Sequence, residues 1–275
     1  MPFFSKGMSA VNLAVSLPLL SFILLGSLCA SSVRAQGVDS LTSARRFTGA
    51  NGEALLYRLY RPADAAADRK LPLVLFLHGA GERGTNNVSQ LKHGIEALIR
   101  HGQQTGDPAI LLIPQCPTDK KWVDAPWNAP SHTMPAEPSP PLRLALELVR
   151  ATLAALPVDP SRVYVTGISM GGYGTWDAIQ REPRLFAAAL PICGGGDTAQ
   201  APAIKRVPIW TFHGDKDGAV PVSRSRDMVS ALKTCGGNIQ YREYPGAGHD
   251  VWTRTYSDSE VLTWFFAQRL AGADR

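Results

Sequence analysis

The chain has 275 residues, 45% of them hydrophobic and 19% charged, a composition that can bury a core and is too apolar for a disordered chain. No collagen period, solenoid repeat or sustained heptad runs through it, which excludes those architectures. The 28 bases and 23 acids give a net charge of +5, or +3 once Lys6 and Arg34 are set aside; the remaining bases form only short pairs such as Arg45-Arg46 and Lys120-Lys121, so a nucleic-acid footprint is not supported.

Residues 11–28 carry no charge and follow Lys6, and small residues lead from them to Val33-Arg34-Ala35. That is the pattern of a secretory signal peptide over 1–35, cut after Ala35 to leave a secreted or periplasmic chain starting at Gln36. An apolar run of this length also spans a bilayer, so membrane association stays open if the leader is retained. Leu28 stands before Cys29 where a lipid-attachment site has a small residue, which argues against lipidation. Beyond the leader remain Cys116, Cys193 and Cys235, an odd number that permits at most one internal disulfide.

Next in chain order, strand-like residues 47–49 and 53–60 flank Ala50-Asn51-Gly52 and predict a hairpin. Continuous apolar runs at 71–77, 109–114, 162–166, 186–192 and 208–212 predict strands buried on both faces. Helical spacing between them predicts helices over 88–99, 142–156, 171–180 and 223–233, and the chain ends with a strand over 239–244 and a helix over 260–270. Alternating strands and helices imply an α/β fold, a mostly parallel sheet covered on both faces, with 36–275 as a single catalytic domain. The long irregular stretch 117–141, rich in Pro and carrying Trp122 and Trp127, is placed to overhang a site.

Gly167-Ile168-Ser169-Met170-Gly171 matches Gly-x-Ser-x-Gly, a short pattern that gains specificity from the strand entering it and the helix leaving it. On such an elbow the Ser169 hydroxyl projects from the sheet edge, but a hydroxyl needs a base within hydrogen-bond reach and the base needs an orienting carboxylate. Of six histidines His249 stands out, on a loop after the last strand. Asp217 follows the 208–212 strand, with Asp215 and Asp197 as competitors. Two backbone N–H groups would hold an oxyanion, from Met170 and from Ala80 in the loop His78-Gly79-Ala80-Gly81. That loop also spells Gly79-x-Gly81-x-x-Gly84, a dinucleotide fingerprint, but the next strand ends in Gln115-Cys116 with no acid for a ribose. Without Cys-x-x-Cys, His-x-His or His-Glu-x-x-His spacing, neither a metal nor a cofactor is implied.

The segments LFLHGAGERG, VTGISMGGYGTWD, FHGDKDGAVP and YPGAGHDVW, in this order, resemble the α/β-hydrolase superfamily over essentially all of 36–275. Within it they look like the lidless bacterial esterases, a group with carboxylesterase/phospholipase-like and polyhydroxybutyrate-depolymerase-like members, related to predicted prolyl-oligopeptidase-type peptidases. The resemblance implies Ser169 as nucleophile, His249 as base, Asp217 as acid, Ala80 and Met170 as oxyanion donors, and an acyl-enzyme mechanism without cofactor. It implies a small-molecule or polymeric ester as substrate, and no large cap domain is inserted. Glu82 and Arg83 fit the subgroup and read as structural, and Trp127, Tyr173 and Trp252 are candidates for lining a pocket. A serine peptidase or an acyltransferase on the same fold are the alternatives, and a non-catalytic binding protein would have lost a triad member.

Overall fold

The computed structural model describes residues 1–2, 37–63 and 69–270; the rest of the expected leader, its expected cleavage site and Cys29 lie outside the described residues. Eight strands form one sheet in the order β1-β2-β4-β3-β5-β6-β7-β8. They are β1 Ser43–Thr48, β2 Ala54–Tyr60, β3 Leu71–Leu77, β4 Ile110–Gln115, β5 Val158–Ile168, β6 Ala188–Ile192, β7 Ile209–Gly214 and β8 Ile239–Tyr244. The hairpin β1–β2 pairs antiparallel, as does β2 with β4, and every other pairing is parallel.

The apolar runs partition by the two-residue period of a strand. Leu71, Leu73, Leu75 and Leu77 of β3 face one core with Leu112, Val163 and Val165, while Val74 and Phe76 face the other with Leu111, Ile113 and Tyr164. Onto the first face pack α3 (Pro140–Ala155) and α4 (Met170–Arg181), through Leu142, Ala145, Val149 and Trp176. Onto the second pack α2 (Ile95–Thr105) and α8 (Ser259–Ala267), through Ile95, Leu98, Phe265 and Phe266. Shorter helices are α1 (Val38–Leu41), α5 (Ala201–Ile204) and α7 (Trp252–Ser257), and α6 (Ser223–Thr234) follows β7. Helix ends follow local chemistry: the Ser139 hydroxyl accepts from Leu142 N–H ahead of Pro140 and Pro141, and Asp258 accepts from Glu260 N–H.

The helix expected over 88–99 is not continuous. Residues Ser89–Leu91 form one 3₁₀ turn and α2 starts only at Ile95, because Gly94 takes φ +76° and sits so close to Phe76 and Tyr256 that a Cβ there would meet them at 2.8–2.9 Å. The closing segment also differs, since α7 precedes α8, which ends at Ala267.

All parallel strands run the same way, so their carboxyl ends gather the loops 78–84, 115–139, 169–170, 193–200, 214–222 and 245–251 along one edge. The tightest crossing there is between the start of α4 and the end of β3, where a Cβ on Gly171 would lie 1.8 Å from the Leu77 carbonyl oxygen. Gly171→Ala is therefore expected to cost about 3 kcal/mol or more, whereas Gly218→Ala, with nothing within 4 Å, should stay within about 0.5 kcal/mol. Thermal and urea unfolding of the two variants check this.

Candidate active site

Between β5 and α4 the chain reverses at Ser169, which holds φ +54° and ψ −117°. A non-glycine residue in that region is strained, and the surrounding structure must hold it there. Ser169 N–H donates to Ile192 O at 2.9 Å and Ser169 O accepts from Tyr173 N at 3.1 Å, so both backbone groups are engaged while the hydroxyl projects from the edge.

That hydroxyl meets His249 Nε2 at 2.8 Å, and His249 Nδ1 meets Asp217 Oδ2 at 2.6 Å. A carboxylate only accepts, so Nδ1 carries the hydrogen and Nε2 is left to accept the Ser169 proton. The His249 side chain is 26% exposed and that of Asp217 has no exposure at all. Asp217 is filled with donors: Ala219 N and Val220 N reach Oδ1 at 2.8 and 2.9 Å, while His249 and His213 reach Oδ2. Burial alone would raise its carboxyl, but the hydrogen bonds from His213, His249 and the two backbone N–H groups outweigh it and hold the group well below the usual carboxylate range. The competing acids lie elsewhere. Asp197 accepts from Met134 N and Ala199 N, and Asp215 has one buried oxygen without a partner among the described residues.

Ala80 opens a 3₁₀ turn, Ala80–Glu82, and Met170 opens α4. As first residues of their turns they have no earlier helical carbonyl to bond, and neither N–H is donated in the described turns and caps. The loop bearing Ala80 is fixed from behind by a residue whose part the sequence did not reveal. Cys116 N–H donates to His78 Nε2 at 2.9 Å, which leaves the His78 hydrogen on Nδ1, 2.6 Å from Gly79 O. Trp122 Nε1–H donates to His78 O at 3.0 Å and Arg83 Nε–H to Ala80 O at 2.9 Å. Arg83 thus makes a turn contact, and the buried Glu82 pairs with His93 at 3.5 Å.

The segment 117–141, expected to overhang the site, is tied to the body at several points. Tyr173 Oη–H donates to Trp127 O, Arg224 donates to Pro130 O and touches His132, Asp197 accepts from Met134 N, and Arg181 donates to Pro135 O. Of the pocket candidates, Tyr173 is buried as one of these struts, Trp127 is half-buried beneath Arg83 and Lys121, and Trp252 packs edge-on against His249 with ring centroids 5.2 Å apart. A groove of about 580 Å³ between the β1–β2 hairpin and α3 is lined by Arg45, Phe47, Tyr57 and Leu148 and contains none of the candidate residues.

One group among the described residues brings metal-type donors together: Cys193, His213 and Asp217, with donor atoms within 4.8 Å of one another. It does not fit an ion, because burial and the neighbouring Asp217 push the Cys193 thiol up and keep it protonated, and the carboxylate already has a donor in every direction. Cys116, Cys193 and Cys235 are all free thiols, so the possible disulfide does not form among them.

His78 makes the loop's stability sensitive to acid. Burial and, secondarily, nearby Arg83 hold its imidazole down at about 4 against an ordinary 6.5, despite the Gly79 carbonyl that favours the proton. The unfolded chain takes up that proton near pH 6.5 and the folded one only near 4, so stability is whole above 6.5 and drains, by up to about 3 kcal/mol, as pH falls between them. The thermal midpoint of wild type should fall across this window and that of His78→Gln should fall less. Parallel slopes in a differential scanning series would assign the loss to other groups such as His132, also held at about 4.

Residues 142–261, which hold Ser169, Asp217 and His249, match the Dienelactone hydrolase family. A probable carboxylesterase of Oryza sativa subsp. japonica is 25% identical over 69% of this chain and 76% of its own length, and the Arabidopsis thaliana carboxylesterase SOBER1 is 24% identical over 73% and 91%. The crystal structure of a thermostable esterase superposes with a TM-score of 0.76 and 40% identity over 83% of this chain, which spans 63% of that protein's length. The eight-stranded sheet, these relatives and that neighbour agree: the chain has the α/β-hydrolase fold and is an esterase-type hydrolase.

Proposed function

We propose that the protein hydrolyses carboxylic esters through an acyl-enzyme on Ser169. The observation that carries this reading is the unbroken line of hydrogen bonds from Ser169 Oγ through His249 to Asp217, at 2.8 and 2.6 Å, hung on a strained elbow. His249 Nε2 removes the Ser169 proton as Oγ attacks the ester carbonyl, and the oxygen gains its negative charge between the N–H groups of Ala80 and Met170, the latter at the positive end of α4. The imidazolium then protonates the departing alcohol oxygen as the carbon–oxygen bond breaks. Water, deprotonated by the same nitrogen, attacks the acyl carbonyl and restores Ser169. Asp217 keeps the imidazole in the required tautomer and balances its charge when it forms.

The substrates in this reading are small to medium esters rather than peptides, because an amide needs its chain gripped at several subsites and this reading has the 117–141 loop alone as an overhang. The protein acts in this reading as an exported enzyme cut before Gln36, and no helix among the described residues is long and apolar enough to cross a membrane.

Ser169→Ala should leave only the residual rate enhancement, about 10³ to 10⁴-fold over water, that binding and the oxyanion donors supply, in a folded protein that a serine-directed phosphonate no longer labels. Asp217→Asn should lower kcat by about 10⁴-fold, while Asp215→Asn and Asp197→Asn stay within about tenfold. Comparing kcat/KM over nitrophenyl esters of increasing acyl length, feruloyl and acetyl-sugar esters, a solid polyester and proline-containing peptides checks the substrate class. Peptide cleavage that matches ester cleavage in that ratio would replace this reading with a peptidase one, and diversion of product to a new ester by added alcohol would favour acyl transfer.

A further inference from the structure

Behind Asp217 lies a second histidine that the proposed chemistry does not use. His213, the penultimate residue of β7, has no exposed surface, and its Nε2 is 3.1 Å from both Asp217 Oδ2 and Val220 O. Two acceptors face that nitrogen, so it carries a hydrogen. On the other side of the ring Nδ1 meets Ser225 Oγ of α6 at 2.7 Å, and Ser225 Oγ is 3.0 Å from Gly194 O. Polar contacts therefore extend past the acid, through His213 to Ser225, which lies beside the backbone that follows β6.

A surface loop residue would not place the acid well. Asp217 stands in the 214–222 turn, flanked by exposed Lys216 and Gly218, and its own N–H reaches only Gly214 O at 3.2 Å. Ala219 and Val220, on the same turn, hold only Oδ1. His213 is the contact that ties Oδ2, the oxygen His249 uses, to the sheet. We propose that His213, itself held by Ser225, is a positioning residue that keeps Asp217 Oδ2 aligned on His249 Nδ1. The proposal rests on the triad reading above, and its tests are separable from it.

His213 is faced by Asp217 and Val220 from the turn, by Ser225 from α6, by the Cys193 thiol after β6, and by Glu243, its register partner on β8. The replacement His213→Phe keeps a ring and removes both nitrogens, and His213→Gln restores an N–H at the distance of Nε2. In the folded full chain, His213→Phe is expected to lower kcat on a nitrophenyl ester by about 10 to 100-fold with KM within about twofold, and His213→Gln to recover most of it, as for outer residues that orient a reactive group. The far-downfield proton resonance of the His249–Asp217 hydrogen bond should broaden or move in His213→Phe and return in His213→Gln. His101→Phe, the loss of a buried histidine stacked on Phe266 away from the site, controls for general destabilisation and should leave kcat unchanged.

Should His213→Phe fail to fold, Ser225→Ala removes one hydroxyl and should still lower kcat by about three to tenfold with the same change in the downfield resonance. An unchanged kcat and resonance in folded His213→Phe, or in Ser225→Ala where the first does not fold, overturns the proposal. Failure of wild type to react with the phosphonate would instead overturn the triad reading on which it depends.

Discussion

The structure turns on a backbone distance. For Ser169 to leave β5 and enter α4 within one residue, the first turn of that helix has to lie against the end of β3 with no side chain between them, and Gly171 is the residue at that contact. A second close approach, of Gly172 to the Ile192 carbonyl and to Gly194, brings the end of β6 against the same turn. The strain at Ser169 and the φ of +51° at Cys193 are both stored in this crowded junction of β3, β5, β6 and α4. Because three strands converge there, the hydroxyl has a fixed origin from which the remaining groups are measured.

Those groups arrive from the loops on either side, and each is held by polar contacts within its own loop and from neighbouring elements. On the β3 side His78 and Trp122 fix the turn that carries Ala80. On the β7–β8 side Asp217 fixes His249, with Cys193 Sγ donating to the His249 carbonyl at 3.3 Å. Such networks are favourable only when every member is satisfied, since a buried group without a partner loses hydration without return. The depressed carboxyl of Asp217 and the depressed imidazole of His78 express the same economy: each has partners for one protonation state and none for the other.

Much of this was legible in the sequence because its signals are local. The hairpin at Ala50-Asn51-Gly52, the strand over 239–244 and the strand-to-helix passage at Ser169 follow from residues within a few positions of one another. The break at Gly94 was not, because apolar spacing at Leu91, Ile95, Leu98 and Ile99 continues through it, and the reason for the break is contact with Phe76 and Tyr256, distant in sequence. Short α7 was hidden because Val251 offers no side-chain cap to announce it. Among the three acids, composition and turn chemistry left the choice open, and only tertiary placement brings Asp217 to His249 and commits Asp197 to Met134. The shared His-Gly ending of β3 and β7 was a visible signal for His78 and His213, but what those rings hold depends on loops that the sequence does not connect to them.

In the proposed esterase, where segment 117–141 borders the site, its ties to Tyr173, Arg181, Asp197 and Arg224 carry a kinetic consequence. A covering that must fold down on each substrate spends ordering entropy in every turnover and imposes opening as a step before product can leave. In that reading the ordering accompanies folding of the chain, because these hydrogen bonds already hold the segment to the body. Discrimination then resides in static fit at the rim, and selection for a new substrate would act through side-chain replacement along the segment rather than through its hinges.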